Sequence, residues 1–320
     1  MDLHLLIDNL TNPALLFFFL GLMAVQFKSD LQIPENSSKF ISIYLLFSIG
    51  FKGGQELSHS PLDTEVGLSL VFGIFLALIV PIYTYFILRR KLSVENAGAI
   101  AASYGSVSAV TFITAISFLE VQHMEFGGHM VAVMALMEAP SIIIGVSLIS
   151  IFRNGDSEKM PYSSVLKHSV TNGSVVLILG SLIIGFVANE EQAAGIAPFT
   201  TDIFKGFLAI FLLDMGLASG QRLKSFFKNG WFTVLFAIIT PLFNGIVVAL
   251  LSRYITDSEA NQFLFAILGA GASYIAVPAA MRLVVPKANP SLYIPMALAV
   301  TFPVNISIGM PIYMYVIQNV

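Results

Sequence analysis

Cysteine is absent from all 320 residues, which removes disulfides, thiolate nucleophiles and thiolate metal sites and leaves the redox compartment open. Charge is scarce too: Asp, Glu, Lys and Arg make up 11% of the chain, against about 25% in ordinary globular domains. Long polar stretches are also missing. The longest connection, 153–170, is short, so there is no room for a separate soluble domain. Ahead of the first apolar segment stand Asp2, His4 and Asp8 rather than a basic run, so no cleaved signal peptide is expected. The glycine-rich GFKGGQE at 50–56 lacks the G-x-x-x-x-G-K-[ST] spacing of a phosphate loop. Nothing else reads as a coupled ATPase, so uphill transport must draw on an ion gradient or a partner. The five histidines make no i,i+4 pair, and the net charge of −3 has no concentrated basic face, so nucleic acid is not implied.

What the chain does have is apolar surface. Apolar residues are 56% of it, and the mean hydropathy is +0.83. Ten hydrophobic segments come near the ~20 residues needed to cross a bilayer: 13–28, 39–57, 67–88, 96–119, 129–152, 171–188, 199–221, 231–252, 261–283 and 292–317. The basic residues orient them. Alternate connections gather Lys28, Lys39, Arg89, Arg90, Lys91, Arg153, Lys159, Lys167, Arg222, Lys224, Lys228, Arg282 and Lys287 on one side, leaving Lys52, Lys205 and Arg253 on the other. This split places the first side in the cytoplasm and both termini outside, as in an integral protein of a bacterial inner membrane.

The two halves match under a shift of about 160 residues: FISIYLLFSIGFKGGQEL at 40–57 lies over GFLAIFLLDMGLASGQRL at 206–223. Asn96, Ala101 and Ser108 fall on Asn261, Ala266 and Ser273, and Pro81 and Pro140 find mates in Pro241 and Pro303. Five spans per half is odd, so the second half enters from the opposite face. The expected fold is therefore an all-α polytopic membrane protein with ten transmembrane helices in two inverted five-helix repeats, 1–152 and 171–320, joined by a cytoplasmic linker at 153–170. Alternating-access transporters use such an architecture.

The chemistry is expected in the fourth and ninth spans. Their middles read Ser103-Tyr104-Gly105-Ser106-Val107-Ser108-Ala109-Val110-Thr111 and Gly269-Ala270-Gly271-Ala272-Ser273-Tyr274-Ile275-Ala276-Val277-Pro278. Glycine and proline weaken helix interiors, so both spans are predicted to break inside the bilayer, where freed backbone groups must line a cavity or be buried. Half-helix N-termini at Gly105, Ser106, Val107, Ser108 and Ala109, and at Ala272, Ser273, Tyr274 and Ile275, suit an anion. Hydroxyls at Ser106, Ser108, Thr111 and Ser273 suit a cation such as sodium. Small residues also suit close helix packing, and that alternative stays open. Glu138, mid-span and two residues before Pro140, can hold sodium, carry a coupling proton, or stay protonated against loosened carbonyls; its repeat mate is Thr301. Asp214 suits a gate or a structural bond to Lys52 or to a gate helix. Asn244, Asn305 and the Gln55/Gln221 pair read as interhelical hydrogen bonds.

The segments GSVSAVT at 105–111, EAPS at 138–141 and VPAAMRLVVPKANPSLYIPMALAVTFPVNISIGMPIY at 277–313 resemble the cyanobacterial sodium-dependent bicarbonate transporter family. The likeness extends more loosely over almost the whole chain, and Ala288-Asn289-Pro290-Ser291-x-Tyr293 is its most specific part. It implies a gate or scaffold domain of spans 1, 2, 6 and 7 and a core domain of spans 3–5 and 8–10, with the fourth and ninth crossing. It also implies trimers, an inorganic anion carried with sodium, and a small PII-like regulatory trimer docking on the cytoplasmic face. Two departures stand out: Tyr274 occupies a position where the resemblance has an acid, and Ala276 one where it has a hydroxyl. The expected function is a secondary transporter moving a small inorganic or carboxylate anion. The alternatives are an ion-coupled organic-anion carrier and a non-transporting membrane sensor or scaffold for a PII-like protein. No nucleophile is paired with a base, so no enzyme is expected.

Overall fold

A computed structural model describes residues 11–59, 63–153, 171, 173–227 and 230–320. Of the expected linker only Arg153 lies among the described residues. The described residues contain helices and no strand: α1 Pro13–Gln26, α2 Glu35–His59, α3 Thr64–Leu88, α4 Val94–Gly105, α5 Ala109–Val121, α6 His129–Phe152, α7 Gly173–Val187, α8 Glu190–Ala197, α9 Phe204–Phe226, α10 Trp231–Ser252, α11 Glu259–Ala270 and α12 Ala276–Val284. A final passage, α13, runs over Pro290–Asn319.

Each of the ten expected segments is helical. By length and apolarity, six passages qualify as membrane spans among the described residues: α3, α4 with α5, α6, α8 with α9, α10, and α13. The apolar helices α1 and α7 are shorter, at 14 and 15 residues. Lipid contact is written on the outer faces. Val71 and Phe75 on α3, and Leu235, Ile239 and Phe243 on α10, are exposed at helical spacing, an apolar surface that water would not favour.

Packing follows the small residues. α1 lies against α9, and α2 against α7, in the two most intimate helix pairs. Glycine makes each possible. A Cβ on Gly21 would meet the backbone of Leu213 and Gly216, and one on Gly54 would meet the backbone of Leu182 and Gly185. Without side chains between them, the backbones approach closely enough for dispersion to hold them in an apolar medium. Gln55 then donates to the carbonyls of Gly185 and Ala188. α3 packs on α4 and α6, and α10 on α11 and the end of α13. The α4–α5 passage is almost wholly buried.

Two features differ from the segments read in the sequence. α8 precedes the seventh segment as a separate helix, started by a capping box in which Asn189 and Gln192 satisfy each other's backbone N–H groups. The tenth segment is not regular: Met296–Thr301 and Asn305–Gly309 are π-helical. Pro295, Pro303 and Pro311 supply no N–H to the i→i−4 ladder, and single wide turns take up the shift.

Candidate functional site

The fourth and ninth segments are each interrupted where the small residues cluster. α4 and α11 are built alike, 12 residues long. Each starts from a serine that accepts the N–H three residues on: Ser93 from Asn96 at 3.2 Å and Ser258 from Asn261 at 3.3 Å. α4 stops at Gly105 and α5 begins at Ala109; α11 stops at Ala270 and α12 begins at Ala276.

A break leaves carbonyls without intrahelical donors, and neighbouring helices supply them here. Ser141 Oγ, one residue past Pro140, is a second donor to the Ala102 carbonyl at 2.7 Å, beside the Ser106 N–H at 3.1 Å. Asn305 Nδ2 donates to the Ala270 carbonyl at 2.7 Å, and Asn244 Nδ2 to that of Gly269 at 3.1 Å. Asn244 and Asn305 are thus the interhelical hydrogen-bonders expected of them, as is Gln55; Gln221 is exposed. The two breaks touch. The Ser273 N–H donates to the Ser103 carbonyl at 2.8 Å, and Ser103 Oγ donates to the Ser273 carbonyl. A Cβ on Gly271 would stand 3.2 Å from the Ser108 amide nitrogen.

The helix N-termini beside this junction are unequal. At α5, Ser108 caps the helix by accepting from the Thr111 N–H at 3.2 Å, leaving the N–H groups of Ala109 and Val110 with no intrahelical acceptor. At α12, Ser273 Oγ accepts from Val277 at 3.3 Å and Pro278 has no N–H, so only Ala276 remains in that first turn. The Ser273 amide is already committed to Ser103, and α5 presents the stronger positive end.

A cavity of about 30 Å³ adjoins the junction, enough for one or two waters or a small ion. Val107, Ser108, Ala109, Ser273, Tyr274, Ile275 and Glu138 line it. Ser42 and Leu46 of α2, Ser174 of α7 and Phe211 of α9 also line it, which the sequence does not single out. The signal available there was slight: Ser42 and Ser174 are two of several hydroxyls on their segments, beside Ser48 and Ser181. Glu138 is buried, and its Oε2 has no hydrogen-bond partner among the described residues. Tyr274 fills one wall, its ring edge-on to Phe302 and its hydroxyl 3.7 Å from Met215 Sδ on α9.

The remaining expected residues lie elsewhere. Gly105 faces Pro81 of α3 and the Ser141 hydroxyl. Ser106, Thr111 and Ala272 are buried at the breaks without lining the cavity, and Ser106 Oγ has no partner among the described residues. Thr301 is a structural link, 2.7 Å from the Tyr104 hydroxyl and donating to the Ala237 carbonyl. Asp214 accepts from Ser38 of α2, whereas Lys52 pairs with Glu120 at 3.0 Å.

The family profile of the Na+-dependent bicarbonate transporter superfamily matches residues 13–318. The chain belongs to that superfamily. No curated protein matched the chain. Membership in the Na+-dependent bicarbonate transporter superfamily fits the apolar helices and makes the chain an integral membrane protein of a transporter family.

Proposed function

We propose that the chain is a secondary transporter that carries a small anion by alternating access, with bicarbonate as its first candidate and Na+ or a proton as the coupling ion. The observation that carries this reading is the cavity at the meeting of the two helix breaks. It combines the α5 N-terminus, whose first amides have no intrahelical acceptor, with two serine hydroxyls and a buried carboxylate. An anion suits the amides, and Glu138 with the Ser108 and Ser273 oxygens suits a hard cation or a proton.

On this reading the chain crosses the membrane ten times as two inverted repeats. The pairing of α1 with α9 and α2 with α7 supports it, because exchanging spans 1 and 6 together with spans 2 and 7 turns one pair into the other. So do the equal lengths and serine caps of α4 and α11. α1, α2, α7 and α9 form the gate, the other long helices form the core, and the core moves against the gate around the cavity. The assembly is a trimer in a bacterial inner membrane with both termini outside, and a PII-like trimer docks on the cytoplasmic face. The test is uptake of labelled bicarbonate and simple carboxylates into proteoliposomes, with and without Na+ and proton gradients. Gradient-driven bicarbonate uptake is expected. No gradient-driven uptake of any of these anions, combined with ligand-dependent binding of a PII-like protein, would instead make the chain a sensor.

A further inference from the structure

Polar contacts between the proposed groups of helices include Ser219 Oγ donating to the Leu298 carbonyl at 3.0 Å and Tyr274 approaching Met215, and one of them is ionic on both sides. Among the described residues, the salt bridges that join gate to core both fall on one carboxylate. Lys52 of α2 reaches Glu120 Oε1 at 3.0 Å, and Lys205 of α9 reaches Glu120 Oε2 at 3.3 Å. Each oxygen takes one lysine, and the three charges come from three helices. These lysines are two of the three basic residues on the sparsely basic side of the sequence.

Glu120 is badly placed for its own helix. It sits in the last turn of α5, which has no basic residue there, at the negative end of the helix dipole. Among the described residues, its salt-bridge partners both come from across the interface. Nearby, α2 packs closely on the start of α6: the Val131 side chain sits against Gly53, and a Cβ on Gly128 would strike the Gly53 carbonyl. The cavity lies to one side of this seal. Ser42, on its wall, precedes Lys52 by ten residues of α2, roughly 15 Å along the axis.

We propose that Lys52, Glu120 and Lys205 form a latch that closes the cavity toward the Glu120 end and must open for the site to be reached from there. This rests on the alternating-access reading above. The latch is built to release. The side chains of Lys52 and Glu120 are 31% and 26% exposed and that of Lys205 is 62% exposed, so water and salt compete for each charge. Two such pairs bias the closed state by between about twofold and thirtyfold, enough to set a resting conformation and little enough for a transport cycle to overcome.

The test uses the absence of cysteine. A Val110→Cys reporter on the cavity wall is labelled with a membrane-impermeant maleimide in cells and in inverted vesicles, and a separate Glu125→Cys protein defines the Glu120 face. Glu120→Gln should raise labelling of the reporter from that face at least threefold. Raising salt to about 1 M, where the Debye length falls to ~3 Å, should do the same in the parent and little in the variant. A triple exchange, Lys52→Glu with Glu120→Lys and Lys205→Glu, restores both pairs and should return labelling to the parent rate. It also guards against misfolding of the single variant. Equal labelling of parent and Glu120→Gln, or failure of the exchange to restore it, overturns the latch. If labelling shifts as expected but no anion is taken up, the latch stands and the proposed cargo falls.

Discussion

At the scale of the residue, Glu138 is the most demanding group in the chain. A carboxylate buried beside a small cavity, with one oxygen unpartnered, is costly unless something fills the space next to it. A coupling cation or proton supplies that counterpart only while bound, which would tie occupancy to the stability of one conformation. Glu138→Gln keeps the size and removes the charge. Gradient-driven uptake should disappear while the protein still extracts, folds and assembles; uptake at the parent rate would return Glu138 to a structural role. Tyr274, which also lines the cavity, bears on the same question. It puts an aromatic ring where an acid is expected from the resemblance, and a neutral hydroxyl gives sodium a weaker ligand than a carboxylate. Tyr274→Asp should therefore strengthen the dependence of uptake on Na+. An uptake rate equally indifferent to Na+ in parent and variant would mean that the other oxygens never make a sodium site.

At the scale of the element, the two breaks are held open by what replaces their missing hydrogen bonds. Asn305→Leu removes the donor to the Ala270 carbonyl and leaves it buried and unsatisfied, a loss of about 1–3 kcal/mol. The melting temperature should fall by roughly 2–10 °C, and an unchanged value would mean that another donor moves in. The glycines separate packing from function. Gly105→Val drives a side chain into the Pro81 ring and should prevent assembly. Gly271→Val meets the Ser108 amide at the junction and should reduce uptake to background in assembled protein; full activity would remove the junction from the mechanism. The breaks themselves were legible in the sequence, because Gly, Ser and Pro cluster where a span would otherwise carry leucine. The inequality of the two N-termini was not, since it turns on Ser273 giving its amide to Ser103, a residue 170 positions away. The role of Thr301 was hidden for the same reason: its partners Tyr104 and Ala237 are neighbours only after folding. Capping at Asn189 carried a readable signal in the N-x-x-Q spacing, whereas which of several prolines in α13 forces a wide turn depends on the helices packed around it.

At the scale of the whole molecule, one sequence shift organises both the halves and their proposed orientation. A repeat with an odd number of spans must reverse direction in the membrane, so equivalent residues in the two halves face opposite sides. The basic residues obey a different constraint, because retention of Lys and Arg in the cytoplasm acts on loops irrespective of repeat. For the proposed ten spans the two constraints agree, because adding or dropping an internal span would scatter the thirteen and three basic residues over both faces. Lys91, between α3 and α4, and Arg253, between α10 and α11, are both exposed and stand at matched places in the two halves. The proposed inversion puts them on opposite sides. In intact cells an impermeant maleimide should label Arg253→Cys and spare Lys91→Cys, and inverted vesicles should exchange the two. Labelling of both positions from the same side would rule out the inverted repeat, and with it the symmetry on which the proposed alternation between faces depends.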